Sequence, residues 1–234
     1  DIVQEMRELG LFGLSIAEEY GGLGLSMEEE VRIVFELGQT SPAFRSMVGT
    51  NVGIGSHSIV IAGTAVQKER YLPKLASGEI IGSFALTEPD AGSDALSIRT
   101  SARREGDHYV LNGTKRYITN APIAGLFSVM ARTGEGRNAD AISCFLVEAG
   151  TAGLSVGQPD KKMGQAGALT CDVIFDDCRV PATALLGEEE GNGFRAAMQV
   201  LDKGRLHIAA LCTGIAERLV RDSVVYARSR QQFG

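Results

Sequence analysis

The sequence has few of the residues that hold metals. Its three histidines, His57, His108 and His207, are scattered and fit no ligand spacing. Its four cysteines, Cys144, Cys171, Cys178 and Cys212, contain no C-x-x-C pair. That argues for free buried thiols in a reducing compartment rather than a metal site or a disulfide frame. No apolar run is long enough to cross a membrane as a helix. No G-x-G-x-x-G stands between a strand and a helix, so a nucleotide cofactor would not be held in the Rossmann manner. Positive excess is also missing: the formal charge is −6, which argues against nucleic acid as a partner. A signal peptide is not expected, because Asp1 opens directly on Gln4, Glu5, Arg7 and Glu8. Internal repeats and low-complexity segments are absent.

What is present fits a globular chain with a sizeable core. Hydrophobic residues make up 44% and charged residues 22% of the 234 positions. The pattern predicts an α+β fold in three parts: helices over 1–80, a β-domain over 81–188, and helices again over 189–234. In the first part, Ser26 with Glu29 and Thr64 with Gln67 read as capping boxes, and Pro73 marks the stop of a short helix ending near Tyr71. In the second, β-formers alternate. Asn112-Gly113, flanked by Tyr109–Leu111 and Tyr117–Thr119, is a strong hairpin signal. Short strands at 126–131, 142–147 and 173–175 complete a small barrel or sandwich. In the third, Phe194, Ala197, Met198, Leu201, Ile208 and Leu211 recur at helical spacing. Gly204 and Gly214 are expected to let neighbouring helices come close.

The stretch that organises the chain is Phe84-Ala85-Leu86-Thr87-Glu88-Pro89-Asp90-Ala91-Gly92-Ser93-Asp94. Ile80, Ile81, Phe84 and Leu86 have the character of a buried strand. Pro89 lacks an N–H for a ladder and ends it. Asp90, Gly92, Ser93 and Asp94 favour a tight bend. Such a bend presents hydroxyls and N–H groups to a ligand; an ordinary polar connection is the alternative.

The order of residues in this stretch resembles the signature of the acyl-CoA dehydrogenase family. Further segments resemble it too: Tyr20-Gly21-Gly22-Leu23-Gly24, Leu111–Lys115, Tyr117–Asn120, Phe175-Asp176-Asp177 with Val180-Pro181, and Arg228–Gly234. The resemblance runs from about Leu9 to Gly234. It implies an N-terminal helical domain, a middle β-barrel or sandwich, the start of a C-terminal helical bundle, and FAD as cofactor. By resemblance Phe84, Leu86 and Thr87 face the flavin, and Ser93 touches flavin and CoA. Tyr117, Ile118 and Thr119 form a second flavin-contacting strand. Tyr117 stands where the family often has tryptophan; read alone, it is equally a core aromatic. Asp202 and Arg205 match residues that contact the acyl-CoA, or else pair with each other along a helix. Arg230, Gln232 and Phe233 match positions that reach a partner subunit's flavin. Residues 165–170 lack an arginine and an aspartate common in the family. Arg45-Ser46 is similar to a pair in glutaryl-CoA dehydrogenases, where the arginine meets a carboxylate; a surface charge is the alternative.

The implied reaction removes an α-proton and a β-hydride from an acyl-CoA thioester, giving the trans-2-enoyl-CoA, with electrons passed to an electron-transfer flavoprotein. Gly204 stands where some members carry the catalytic glutamate, so the base is expected beyond Gly234. Glu18, Glu19 and Glu88 belong to other segments of the pattern. An acyl-CoA oxidase, a flavin monooxygenase of the same fold, and a non-catalytic flavin-binding or dimerisation module are alternatives. The family further implies a homodimer or homotetramer in the bacterial cytoplasm or the mitochondrial matrix.

Overall fold

The computed structural model describes residues 2–234. Helices come first: α1 (Ile2–Glu8), α2 (Met27–Gly38), α3 (Pro42–Gly49), α4 (His57–Ala62) and α5 (Ala65–Ala76). A π-helical segment, Thr50–Gly55, joins α3 to α4. Ser26 and Thr64 cap α2 and α5 through reciprocal bonds with Glu29 and Gln67, as their spacing predicts. Pro73 does not stop α5. The helix runs three residues further because Leu75 and Ala76 are buried, and the carbonyl that Pro73 leaves unpaired belongs to exposed Glu69.

Seven strands follow: β1 (Gly82–Ala85), β2 (Ser101–Glu105), β3 (His108–Thr119), β4 (Leu126–Arg132), β5 (Ile142–Glu148), β6 (Leu154–Val156) and β7 (Thr170–Pro181). They form one curled sheet in the order β1-β4-β2-β3-β7-β6, with β5 also on β4. Asn112-Gly113 is not a hairpin turn. β3 runs straight through it, and the turn lies at Gly106-Asp107, between paired Glu105 and His108. Glycine is needed at 113 for a close approach: a Cβ there would lie 2.5 Å from the Thr100 hydroxyl oxygen. Asn112 is turned outward, exchanging bonds with Asp177 on β7.

β4 and β5 are buried on both faces, which explains their unbroken apolar runs. Phe127, Val129, Phe145 and Val147 point into the sheet's own core. Leu126, Met130, Ile142 and Leu146 point the other way, against Ile59, Leu72, Leu75 and Val200 of the helices. Burying each such side chain stabilises by about 1.5–3 kcal/mol. Three cysteines are buried as expected; Cys212, on the outer side of the last helix, is exposed.

That last helix, α6 (Gly193–Ser229), packs along α2. The contact is close at one point, where a Cβ on Gly214 would lie 2.1 Å from the Phe35 carbonyl oxygen. Gly204 plays no such part; a Cβ there would be 3.7 Å from Ile54, an ordinary contact. Nearer the sheet, the Lys203 ammonium on α6 meets Glu30 of α2 at 2.7 Å, and His207 lies 3.2 Å from the same carboxylate, all three buried. Burial would raise the Glu30 carboxyl, but His207 and Lys203 outweigh it and hold it below its ordinary value. His57, buried beside this group, is pushed down to about 4 by burial and by Lys203. No helix of the described residues is long and apolar enough to cross a membrane.

A second buried ion pair pins the bend after β1. The Lys115 ammonium of β3 is wholly buried and donates to Glu88 Oε1 at 2.8 Å and to the Leu86 carbonyl at 3.1 Å. Glu88 also accepts from the backbone N–H groups of Arg99, at 2.6 Å, and Thr100, at 2.9 Å. Burial would raise the Glu88 carboxyl; Lys115 and these bonds hold it below the ordinary value. Burial pulls Lys115 down to about 8, so at neutral pH both partners are charged.

Two outcomes follow from this packing. Gly214→Ala forces α2 and α6 apart and lowers the unfolding free energy by about 1–3 kcal/mol, read from urea denaturation. Because Glu88's folded value lies below 4.5, its stabilisation is complete above pH 4.5 and is lost as pH falls through the folded value. Glu88→Gln therefore destabilises by about 3 kcal/mol or more at neutral pH. Its deficit against wild type shrinks when unfolding is repeated well below pH 4.5.

Candidate functional site

The pinned bend forms one wall of a cleft of about 650 Å³. Phe84 and Leu86, at the end of β1, and Ile118, at the end of β3, are buried and give it an apolar floor. Thr87, Ser93 and Thr119 line it, and among the described residues their hydroxyls make no side-chain hydrogen bond. Tyr117 is on the rim. It is not a core aromatic: its side chain is 63% exposed and its backbone is left-handed, with φ 59°. A non-glycine aromatic in that conformation is strained, a feature found where geometry serves a ligand. The structure thus gathers seven residues singled out by the sequence, four from the first segment and three from the second.

The opposite wall is α6. Phe194, Met198, Leu201 and Arg205 line the cleft, and Ile208 lines its continuation. Sequence reasoning placed the apolar members of this row in a helical core. Their 4-3-4-3 spacing marks a single helix face with an arginine set among apolar residues, and that signal could have separated a cleft wall from core. Thr50 and Ile54, from the π-helical segment, had no such signal. A π-turn widens a helix by one residue and cannot be read from spacing.

Past Thr50, Ile54, Thr119, Leu201 and Arg205 the cleft opens into a second lobe of about 830 Å³. Gly49, Gly204 and the irregular segment 157–169 shape it. Among the described residues three cations line this lobe, Arg45, Lys162 and Arg205, and no carboxylate does. Arg45 is no surface charge. It is 8% exposed, and its Nε is buried with no hydrogen-bond partner. Burial draws its guanidinium below the ordinary value. In a chain of net charge −6, such a lobe is built to receive negative charge or strong acceptors.

Other expected residues are elsewhere. Asp202 lines neither lobe; it pairs with Arg205, both exposed, as the helical alternative predicted. Arg230, Gln232 and Phe233 follow the end of α6, fully exposed, and line neither lobe. The unbroken helix carries them about 37 Å along its axis beyond Arg205. Of the carboxylates among the described residues, Asp94 alone lines the first lobe, and it is paired with Arg137 at 2.6 Å. Glu88 is committed to Lys115, and Glu18 and Glu19 sit in a 3₁₀ turn away from both lobes.

Comparison with known proteins agrees with this geometry. Residues 1–79 match the acyl-CoA dehydrogenase N-terminal domain, 83–178 its middle domain and 191–234 its C-terminal domain. The chain is 43% identical over 239 residues to the mitochondrial very long-chain specific acyl-CoA dehydrogenase of Macaca fascicularis, covering 99% of this chain and 36% of that protein. Among solved structures, butyryl-CoA dehydrogenase from Megasphaera elsdenii superposes with a TM-score of 0.95 at 38% identity, over 99% of this chain and 61% of that one. An acyl-CoA dehydrogenase from Bacillus anthracis, solved with FAD, gives 0.92 at 42% identity, over 99% and 39%. The chain therefore spans between about a third and three fifths of the relatives it matches. With three consecutive domain matches and the fold in agreement, the chain belongs to the acyl-CoA dehydrogenase family.

Proposed function

We propose that this chain forms the flavin and thioester cleft of an FAD-dependent oxidoreductase that desaturates an acyl-CoA to the trans-2-enoyl-CoA and passes electrons to an electron-transfer flavoprotein. The observation that carries the reading is the two-lobed cleft itself: an apolar floor with unpaired hydroxyls, continuous with a cation-lined lobe. The residues fit FAD. Phe84, Leu86 and Ile118 offer a surface for a planar ring, Thr87 and Ser93 offer donors at its edge, and Tyr117 closes the rim. When bound, FAD supplies the hydride acceptor. The chain's own part is to orient the acyl group against that floor, keep water from it, and attract the anionic CoA through Lys162 and Arg205.

The base that removes the α-proton is assigned outside the residues that line the two lobes. Asp94 is ion-paired at the rim, and no glutamate lines either lobe. By resemblance to the family we assign that base past Gly234. The same observation favours one second reading, a flavin-binding or dimerisation module without turnover. Assembly as a homodimer or homotetramer is in keeping with the exposed apolar row Leu219, Val220, Val224 and Tyr226 on α6. In such an assembly Arg230, Gln232 and Phe233 are free to reach a neighbour's cofactor. The bacterial cytoplasm or the mitochondrial matrix remains the assigned compartment.

Titration with FAD tests the cleft. Wild type takes up one equivalent, and Thr87→Val weakens uptake by about two- to tenfold, the worth of one hydrogen bond. A wild-type protein that takes up no FAD overturns the reading. Turnover of butanoyl- or octanoyl-CoA by these 234 residues would overturn the assignment of the base. Unpaired Arg45 predicts further that a thioester whose acyl chain ends in a carboxylate binds more tightly than its methyl-ended counterpart. Arg45→Met removes that preference by about tenfold or more, measured by competition binding.

A further inference from the structure

Arg116 and Tyr117 occupy a β-bulge. Lys115 pairs with Val173 and Ile118 with Cys171, so two residues of β3 face Asp172 alone on β7. The extra residue turns the Tyr117 ring out of the sheet and onto the rim of the first lobe. Among the described residues the only cation or ring stacked on it is its neighbour, with the Arg116 guanidinium carbon 4.4 Å from the ring centroid.

That guanidinium is itself fixed at both ends. One nitrogen donates to Asp172 and the other to Asp160, each at 2.8 Å. Asp160 lies in the segment 157–169 that walls the second lobe, and it is anchored to Thr170 by a backbone bond of 2.8 Å. The Arg116 backbone N–H donates to the carbonyl of Thr87, which lines the first lobe, at 2.8 Å. A planar fork held by two carboxylates has no freedom to leave the ring it covers.

We propose that Arg116 is a positioning residue that fixes the Tyr117 ring across the mouth of the first lobe and ties it to the segment 157–169 that walls the second. The inference rests on the cofactor reading above. The wall of the second lobe and the ring at the mouth of the first are then set relative to one another, because both hang on the same guanidinium. Arg116 touches neither ligand; it acts through Tyr117 and Asp160.

The test uses the protein reconstituted with FAD and four variants: Arg116→Met, Arg116→Lys, Tyr117→Phe and the double variant Arg116→Met/Tyr117→Phe. A tyrosine held against a flavin quenches its emission by lending an electron to the excited ring, which returns it; phenylalanine does not. Tyr117→Phe is expected to raise the emission of bound FAD, Arg116→Met to recover most of that rise, and the double variant to add nothing further. Arg116→Lys keeps the charge but not the fork, and restores quenching only in part. Without cofactor, Arg116→Met frees the segment, and tryptic cleavage after Lys161 or Lys162 speeds up by about tenfold. The inference fails if Arg116→Met stays as dark as wild type while Tyr117→Phe brightens, or if Tyr117→Phe does not brighten. A wild type that takes up no FAD fails earlier, and takes the cofactor reading down with it.

Discussion

The buried pair between Glu88 and Lys115 is the constraint from which the site is built. Neither residue lines the cleft, yet between them they fix the bend that does. Lys115 reaches the carbonyl of Leu86 as well as the carboxylate, so it holds both the last turn of strand character and the first residue of the loop. Glu88 in turn gathers the N–H groups of Arg99 and Thr100, which closes the loop at its far end. Both charges are desolvated, and a pair of this kind is worth little as net stability against a hydrophobic substitute. What it supplies is position. With three donors converging on the carboxylate and one carbonyl on the ammonium, the loop between 88 and 99 has a single register relative to β3, and Thr87 and Ser93 inherit it.

The same principle operates at the other wall. Glu30, Lys203 and His207 are buried where aliphatic side chains would pack as well. They fix the rotation of α6 about its axis. A helix held by leucines alone tolerates a small roll; one whose lysine must reach a particular carboxylate does not. That rotation decides that Leu201, Arg205 and Ile208 face the cleft rather than α2.

Much of this was legible in the sequence, and the failures share a cause. Capping boxes at Ser26 and Thr64 are local, and they are where the spacing puts them. The motif from Phe84 to Asp94 identified one wall of the cleft and Tyr117–Thr119 another, because each is a short continuous run. Pro73 and Asn112-Gly113 misled because their signals are also local, while the outcome was set by partners distant in sequence: the core beneath Leu75, and Thr100 and Asp177 beside β3. The polar clusters escaped notice altogether. Glu30 and Lys203 are separated by most of the chain, and nothing in the spacing of either marks them as partners. Arg45 could be noticed from its neighbours but not judged, since its burial depends on the fold of the whole lobe.

The π-helical segment Thr50–Gly55 has a consequence for how this site can change. A π-turn is an α-helix with one residue too many, and each residue of an α-helix turns its successor by about 100°. Thr50 and Ile54, at the junction of the two lobes, stand on that surplus. Asn51, buried near its start, bonds the carbonyls of Phe12 and Leu75 and the N–H of Gly82, and so anchors the segment to three other parts of the chain. Losing a single residue here would turn α3 and α4 into one regular helix and swing every side chain on one side of the deletion through that angle. Substitution can therefore reshape the lobes gradually, whereas a change of length at this point is all or nothing.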